Sequence, residues 1–246
     1  PNAVGDQMNA WVMKPKNFDP NKKYPLFMFQ YSGPGSQQVA NSWDNGNAMW
    51  FNHLVQKGYI VACVDGRGTG YKGAKYKKVT YMNLGKYEIE DQITAAKWFG
   101  NQSYIDKGRI GMFGWSFGGY MTSLAMTKGA DVFKMGIAVA PVTNWRYYDS
   151  VYTERFMRTP QENPDGYDKN SPTEYANLLK GKFLLIHGTA DDNVHFQNSM
   201  ELSEALIQNK KQFDFMAYPD KNHGIYGGQT RPQLYQKMTD FILSNL

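Results

Sequence analysis

Cysteine is nearly missing from this 246-residue chain: Cys63 stands alone, so neither an intramolecular disulfide nor a cysteine-rich metal site can form. It lies in the apolar run "YIVACV" (59–64), where nothing adjacent would lower a thiol pKa. It therefore reads as a small buried side chain and not as a nucleophile. Long apolar runs are missing as well; no stretch approaches the ~18 residues of a membrane span. Lysine and arginine outnumber aspartate and glutamate, 27 to 22, but they fall as scattered singles and pairs such as Lys22-Lys23, Lys77-Lys78 and Lys210-Lys211. With no basic block, the charge reads as a solvated surface in preference to a nucleic-acid footprint, and no nucleic-acid partner is expected. Phosphate-binding glycine motifs are lacking too. "DGRGTGYKG" (65–73) has neither the G-x-G-x-x-G spacing nor a Walker A pattern, and reads as a turn-rich loop. The opening "PNAVGDQ" has no initiator Met and no basic or apolar leader segment, so the expectation is a piece of a longer chain.

What is present suits a large core. Hydrophobic residues make up 41% and aromatics 15%, which argues against disorder and for one α/β domain over residues 1–246. Strands are expected at 10–13, 26–31, 59–64, 109–113, 135–140, 183–187 and 213–218. Helical spacing links Ile89, Ile93 and Ala96, then Met200, Leu202 and Leu206 in Asn198–Gln208, and Leu234, Met238, Phe241 and Ile242 near the end. Several strands are apolar throughout, the pattern of a sheet covered by helices on both faces. The expected fold is a mostly parallel, doubly wound sheet with right-handed crossovers. Residues from about 147 to 177 are polar and irregular, and are expected to pack over the sheet as short helices and loops.

Gly114-Trp115-Ser116-Phe117-Gly118 fits G-x-S-x-G, the turn that exposes a serine nucleophile between a strand and a helix. The strand-like "RIGMF" precedes it and "MTSLAMTK" follows, as the motif requires, and Gly119 adds room for helix–sheet packing. A serine hydroxyl needs a base to take its proton, and the base needs an orienting acid. Four histidines are available. His53 lies in a helical stretch, His187 ends a strand, and His195 follows "ADDNV"; His223 sits in the polar loop "PDKNHG". The chain order Ser, acid, His of this architecture fits Ser116, an aspartate of "HGTADDNV" and His223. Asp191 and Asp192 both satisfy that order. An oxyanion would take the Phe117 N–H and a donor from the early loop "QYSGPGSQ" (30–37). Tyr31 offers a phenol there, where lipases use a glycine run.

"GWSFGGY", "DGRGTGY", "GIAVAPVTNWRYYDSVYTERFM", "LLIHGTADDNVHFQ" and "NHGI" together resemble the dipeptidyl-peptidase branch of the prolyl oligopeptidase family of serine peptidases. The resemblance runs over nearly the whole chain. It implies an α/β-hydrolase catalytic domain, normally paired with an N-terminal β-propeller, that releases N-terminal dipeptides with Pro or Ala at position two. It further implies Ser116 as nucleophile, His223 as base and Asp191 as its partner, with Tyr31 and Phe117 as oxyanion donors. Val142, Trp145, Tyr148, Tyr152, Val194 and the Phe117 ring would form the proline pocket. Asn193 and Arg155 would bind the carbonyl of the preceding residue. Phe117 stands where many relatives have Tyr. No metal or cofactor is implied; the partners are peptide substrates and, in the parent, a second copy. The implied location is periplasmic, secreted or membrane-anchored, with no membrane contact by this domain. An acylaminoacyl-type peptidase or a carboxylesterase on the same fold is the alternative.

Overall fold

Strands that are apolar on both faces must be covered on both faces, and the computed structural model shows how this chain does it. It describes residues 1–42 and 46–246. Among them, seven strands form one sheet: β1 (Asn9–Met13), β2 (Tyr24–Phe29), β3 (Ile60–Asp65), β4 (Ile105–Trp115), β5 (Met135–Val139), β6 (Lys182–Gly188) and β7 (Asp214–Tyr218). Their order is β1-β3-β2-β4-β5-β6-β7; β1 is antiparallel to β3 and every other pairing is parallel.

The helices are α1 (Ala48–Gln56), α2 (Ala74–Lys78), α3 (Lys86–Gly100), α4 (Phe117–Thr127), α5 (Ser150–Met157), α6 (Pro164–Asp168), α7 (Gln197–Gln208) and α8 (Thr230–Asn245), with 3₁₀ turns at Trp145–Tyr147 and Pro172–Leu178. Side chains alternate across a strand, and here the alternation sorts them into two cores. Leu26, Met28, Ile60, Ala62 and Met112 pack with Phe99, Leu124 and Leu202, on the side of α3, α4 and α7. Phe27, Phe29, Val61, Cys63 and Phe113 pack with Phe51, Leu54, Leu234 and Ile242, on the side of α1 and α8. This is the expected doubly wound α/β architecture. No described helix is long and apolar enough to cross a membrane.

Two expected strands change their bounds. The strand expected to reach residue 31 leaves the sheet after Phe29, because the Gln30 side chain turns to donate to the Gly118 carbonyl at 2.8 Å and Ser32 takes φ +65°. β4 is longer than expected: it begins at Ile105, opposite Tyr24, across a register shift in the β2 pairing. Cys63 is fully buried in β3.

The connection that matters most runs from β3 to β4. The chain steps over β2, so β4 lies beside β2 although some 75 residues separate them. Phe29 pairs with Phe113, and Gln30 N–H donates to the Phe113 carbonyl at 3.3 Å. The loop after β2 therefore meets the turn after β4 at the carboxyl edge of the sheet, where ligand sites of such folds collect.

Candidate active site

Ser116 occupies the turn between β4 and α4 with φ +62° and ψ −118°, a conformation that an L residue adopts only under strain. Glycines make the turn possible by absence of bulk. A Cβ on Gly114 would overlap the Gly118 backbone, and one on Gly118 would stand 2.6 Å from the Gln30 carbonyl oxygen. Ser116 N–H donates to the Val139 carbonyl at 2.8 Å, which ties the turn to β5. The next residue, Phe117, is the first of α4, where helix N–H groups have no intrahelical acceptor.

Burial pushes the Tyr31 phenol pKa up, and the neighbouring Ser116 side chain pulls it partly back. Tyr31 therefore stays a protonated donor beside the serine oxygen. Its loop is braced from an unexpected side: Gly35 N–H donates to the Gly68 carbonyl at 2.9 Å, and Gly70 N–H to the Ser36 carbonyl at 2.8 Å. "DGRGTGYKG" is indeed a loop, and it props up the Tyr31 loop. It is held in turn by the buried Arg67–Asp91 pair, 2.7 Å from Nη2 to Oδ1. The residue types alone carried no signal for that brace.

The aspartates of the β6–α7 loop part company. Asp191 is 5% exposed, whereas Asp192 points to solvent. Asp191 Oδ2 lies 2.8 Å from His223 Nδ1. Its Oδ1 accepts the Asn193 and Val194 N–H groups, both at 3.0 Å. Burial opposes the Asp191 charge, but hydrogen bonds from His187, His223 and the Asn193 amide outweigh it and hold the carboxyl well below the usual range. His223 follows β7, and its carbonyl accepts the Trp115 indole N–H at 3.0 Å. One bond thus couples the His223 loop to the residue before Ser116. His53 is exposed on α1. His195 lines an outer cleft of about 690 Å³ with Arg146, Tyr148, Asp192 and Asn193.

Beside the serine stands an aromatic wall. The Phe117 ring is 5.4 Å from Trp145, Trp145 stacks on Tyr152 at 5.9 Å, and Tyr148 meets Tyr152 edge-on at 5.3 Å. Val142, Trp145 and Val194 are buried in the same core. The Tyr148 hydroxyl donates to Asn193 Oδ1 at 2.8 Å, joining the wall to the Asp191 loop. Arg155 is set apart from Asn193: with Pro34, Lys77, Lys78, Tyr81 and Phe156 it lines a separate cavity of about 460 Å³. The arrangement offers a serine, an imidazole on a buried carboxylate, two donors and an aromatic wall.

Known proteins resemble this chain in sequence and in fold. The sequence pattern of the prolyl oligopeptidase family matches residues 46–246. A probable dipeptidyl-aminopeptidase B from Neurospora crassa is 46% identical over 99% of this chain and 26% of its own length. Prolyl endopeptidase FAP from Mus musculus is 46% identical over 94% of the chain and 30% of its own length. The crystal structure of Porphyromonas gingivalis dipeptidyl peptidase 4 superposes on the whole chain and on 34% of that protein, with a TM-score of 0.95 and 52% identity. A putative dipeptidyl aminopeptidase IV from Bacteroides ovatus gives a TM-score of 0.96 at 37% identity and is 35% covered. The chain thus spans between a quarter and about a third of the length of the proteins it matches. Sequence pattern, identity and sheet topology agree, and the chain belongs to the prolyl oligopeptidase family.

Proposed function

We propose that this chain is the catalytic domain of a serine peptidase that releases N-terminal dipeptides ending in Pro or Ala through an acyl-enzyme. The observation that carries the reading is the Asp191–His223 bond, reached from separate strands and tied through Trp115 to the strained Ser116. The names of the similar dipeptidyl peptidases support the substrate class.

In the proposed reaction, His223 Nε2 takes the Ser116 proton while Oγ bonds to the scissile carbonyl carbon. The Tyr31 hydroxyl and the Phe117 N–H donate to the resulting oxyanion. Collapse breaks the C–N bond, and the leaving amine takes the proton from His223. Water then repeats the sequence, is deprotonated by the same imidazole, and frees the dipeptide. A pyrrolidine ring has no N–H and a flat apolar face, so the apolar wall of Val142, Trp145, Tyr148, Tyr152 and Val194 suits it. Because Asn193 Oδ1 takes the Tyr148 hydroxyl, its NH₂ is left to donate to the carbonyl of the preceding residue. Arg155, on the same helix as Tyr152, would reach that carbonyl from the neighbouring cavity.

Dipeptide release also needs a stop for the free amine, and charged hydrogen bonds to carboxylates are the natural one. The glutamates of α3 are not free to meet it: Glu88 is buried out of reach of solvent, and Glu90 lies 3.2 Å from Arg67. The proposal therefore assigns the stop to a β-propeller in the longer protein, which would act on peptides as a homodimer that is secreted, periplasmic or membrane-anchored.

A fluorophosphonate probe should label Ser116 in the full-length protein, and Ser116→Ala should abolish the labelling with the fold intact. X-Pro-nitroanilides with a free amine should be cleaved at least roughly 10²-fold faster than their N-acetylated forms. Equal rates on both would replace this reading with an acylaminoacyl-type peptidase or esterase.

A further inference from the structure

The Asp191 oxygen that faces His223 also faces a second imidazole. His187, at the end of β6, is fully buried, and its Nε2 lies 3.1 Å from Asp191 Oδ2 and 2.8 Å from the Val194 carbonyl oxygen. Both neighbours can only accept while Asp191 is ionised, so Nε2 carries a proton. On the other side, Nδ1 lies 2.6 Å from Ser199 Oγ on α7, a hydroxyl able to donate. Every polar atom of the ring is satisfied in one state, the neutral Nε2–H tautomer with the Ser199 proton on Nδ1. Counting all partners, the Asp191 carboxylate takes four N–H groups: two amides on Oδ1 and two imidazoles on Oδ2.

We propose that His187, held as its Nε2–H tautomer by the Val194 carbonyl and supported at Nδ1 by Ser199, is a positioning residue for the reaction: it fixes the Asp191 carboxylate and sets the pH at which His223 takes up its proton. This rests on the reading of Ser116, His223 and Asp191 as the catalytic groups. A carboxylate filled by Asn193, Val194 and His187 has one direction left, which His223 occupies, so it cannot rotate away. Its charge is also shared among four donors, and it draws the His223 proton less strongly than a carboxylate with fewer donors.

Other charged and titratable groups surround the pair. Tyr31 and Tyr148 stand on the pocket side, exposed Asp192 and His195 in the Asp191 loop, and Asp220 and Lys221 in the His223 loop. Tyr218 closes β7, and Arg231 on α8 lies over the Trp115 ring. The variants below leave all of these in place.

The test uses the full-length protein. His187→Leu removes the donor, His187→Gln offers an amide N–H near the Nε2 position, and Ser199→Ala removes the support at Nδ1. The imidazole of His223 is titrated by NMR, and kcat and KM for an X-Pro-nitroanilide are followed against pH. In the wild type, ¹⁵N shifts should place the His187 proton on Nε2. His187→Leu should raise the His223 midpoint by about 0.5 pH unit or more. It should lower kcat about tenfold with KM little changed. His187→Gln should stay close to wild type, and Ser199→Ala should move the midpoint in the same direction by less. A merely structural His187 would lower the melting temperature without moving the midpoint. A His187 proton on Nδ1, or an unmoved midpoint in folded His187→Leu, overturns the proposal. If His187→Leu does not fold, an unmoved midpoint in Ser199→Ala overturns it instead. Absence of wild-type peptidase activity would sink the functional reading, and the NMR titration would still decide this one.

Discussion

Asp191 and Glu88 are both carboxylates withdrawn from water, 5% and 1% exposed, yet the protein treats their charges in opposite ways. Asp191 sits in the loop after β6 with every lone-pair direction filled by an N–H, and its carboxyl is held well below the usual range. Glu88 sits in the first turn of α3, close enough to Tyr152 to affect its titration. Its Oε2 accepts the Gly85 N–H at 3.0 Å, while Oε1 has no partner among the described residues. Burial pushes Glu88 up to about 8, and the backbone N–H groups of Glu88 and Gly85 recover only part of that. Burial alone therefore does not decide whether a carboxylate keeps its charge; the number of aimed donors does. The loop around Asp191 has those donors, and the first turn of α3 around Glu88 lacks them.

The contrast breaks hardest at Asp191. Asp191→Asn should cost on the order of 10⁴-fold in kcat, because an amide leaves His223 in the wrong tautomer. Asp192→Asn, exposed and outside that network, should remain within about threefold by the same reasoning. The matching pair is His223→Ala, nearly inactive, against His195→Ala, largely active. Comparable losses within either pair, measured as kcat/KM on an X-Pro substrate, would break the assignment of charge to the base side.

On the wall, packing replaces directed charge and the response should be graded. Tyr152→Ala removes the ring that stacks on Trp145. It should raise KM for a proline substrate about 10- to 100-fold, the order of a lost aromatic contact and its buried area. A fall in kcat at constant KM would instead place Tyr152 in the transition state.

The sign of the Glu88 effect sharpens the comparison further. Its native pKa lies above the ordinary 4.5, so between 4.5 and about 8 the folded state holds a proton that the unfolded state has lost. Stability must then fall as pH rises through that window. Asp191 works in the opposite sense: its contribution is present above the ordinary carboxylate range and is lost as pH falls towards its depressed value. The domain should lose roughly 7–14 °C in Tm from pH 5 to pH 8 relative to Glu88→Gln, whose curve should be flatter. Parallel curves would show that Glu88 is not the group titrating.

The smallest effect should come from Tyr148→Phe, which deletes the 2.8 Å bond to Asn193 and keeps the ring. One exposed neutral hydrogen bond predicts about a three- to tenfold rise in KM with kcat unchanged.

Much of this molecule is written locally. The apolar runs at 59–64, 135–140 and 183–187 announce buried strands because a doubly covered sheet leaves no polar face, and β3, β5 and β6 lie there within a residue or so. Gly114 and Gly118 announce the serine turn because no side chain fits where their Cβ atoms would lie. Chain order limited the acid to two adjacent residues and favoured one histidine, and no local pattern went further. The family resemblance named Asp191, and the physical difference from Asp192 is its burial against His223, which is 32 residues away and arrives from β7. Tyr31 reaches Ser116 only because the β3-to-β4 crossover lays β2 against β4. The second imidazole on Asp191 comes from only four residues upstream, but the Ser199 hydroxyl on its far side arrives with α7. Turns and strands follow from short-range sterics and side-chain period. Hydrogen bonds between loops follow from the order in which strands pair, and that order exists only once the sheet is assembled.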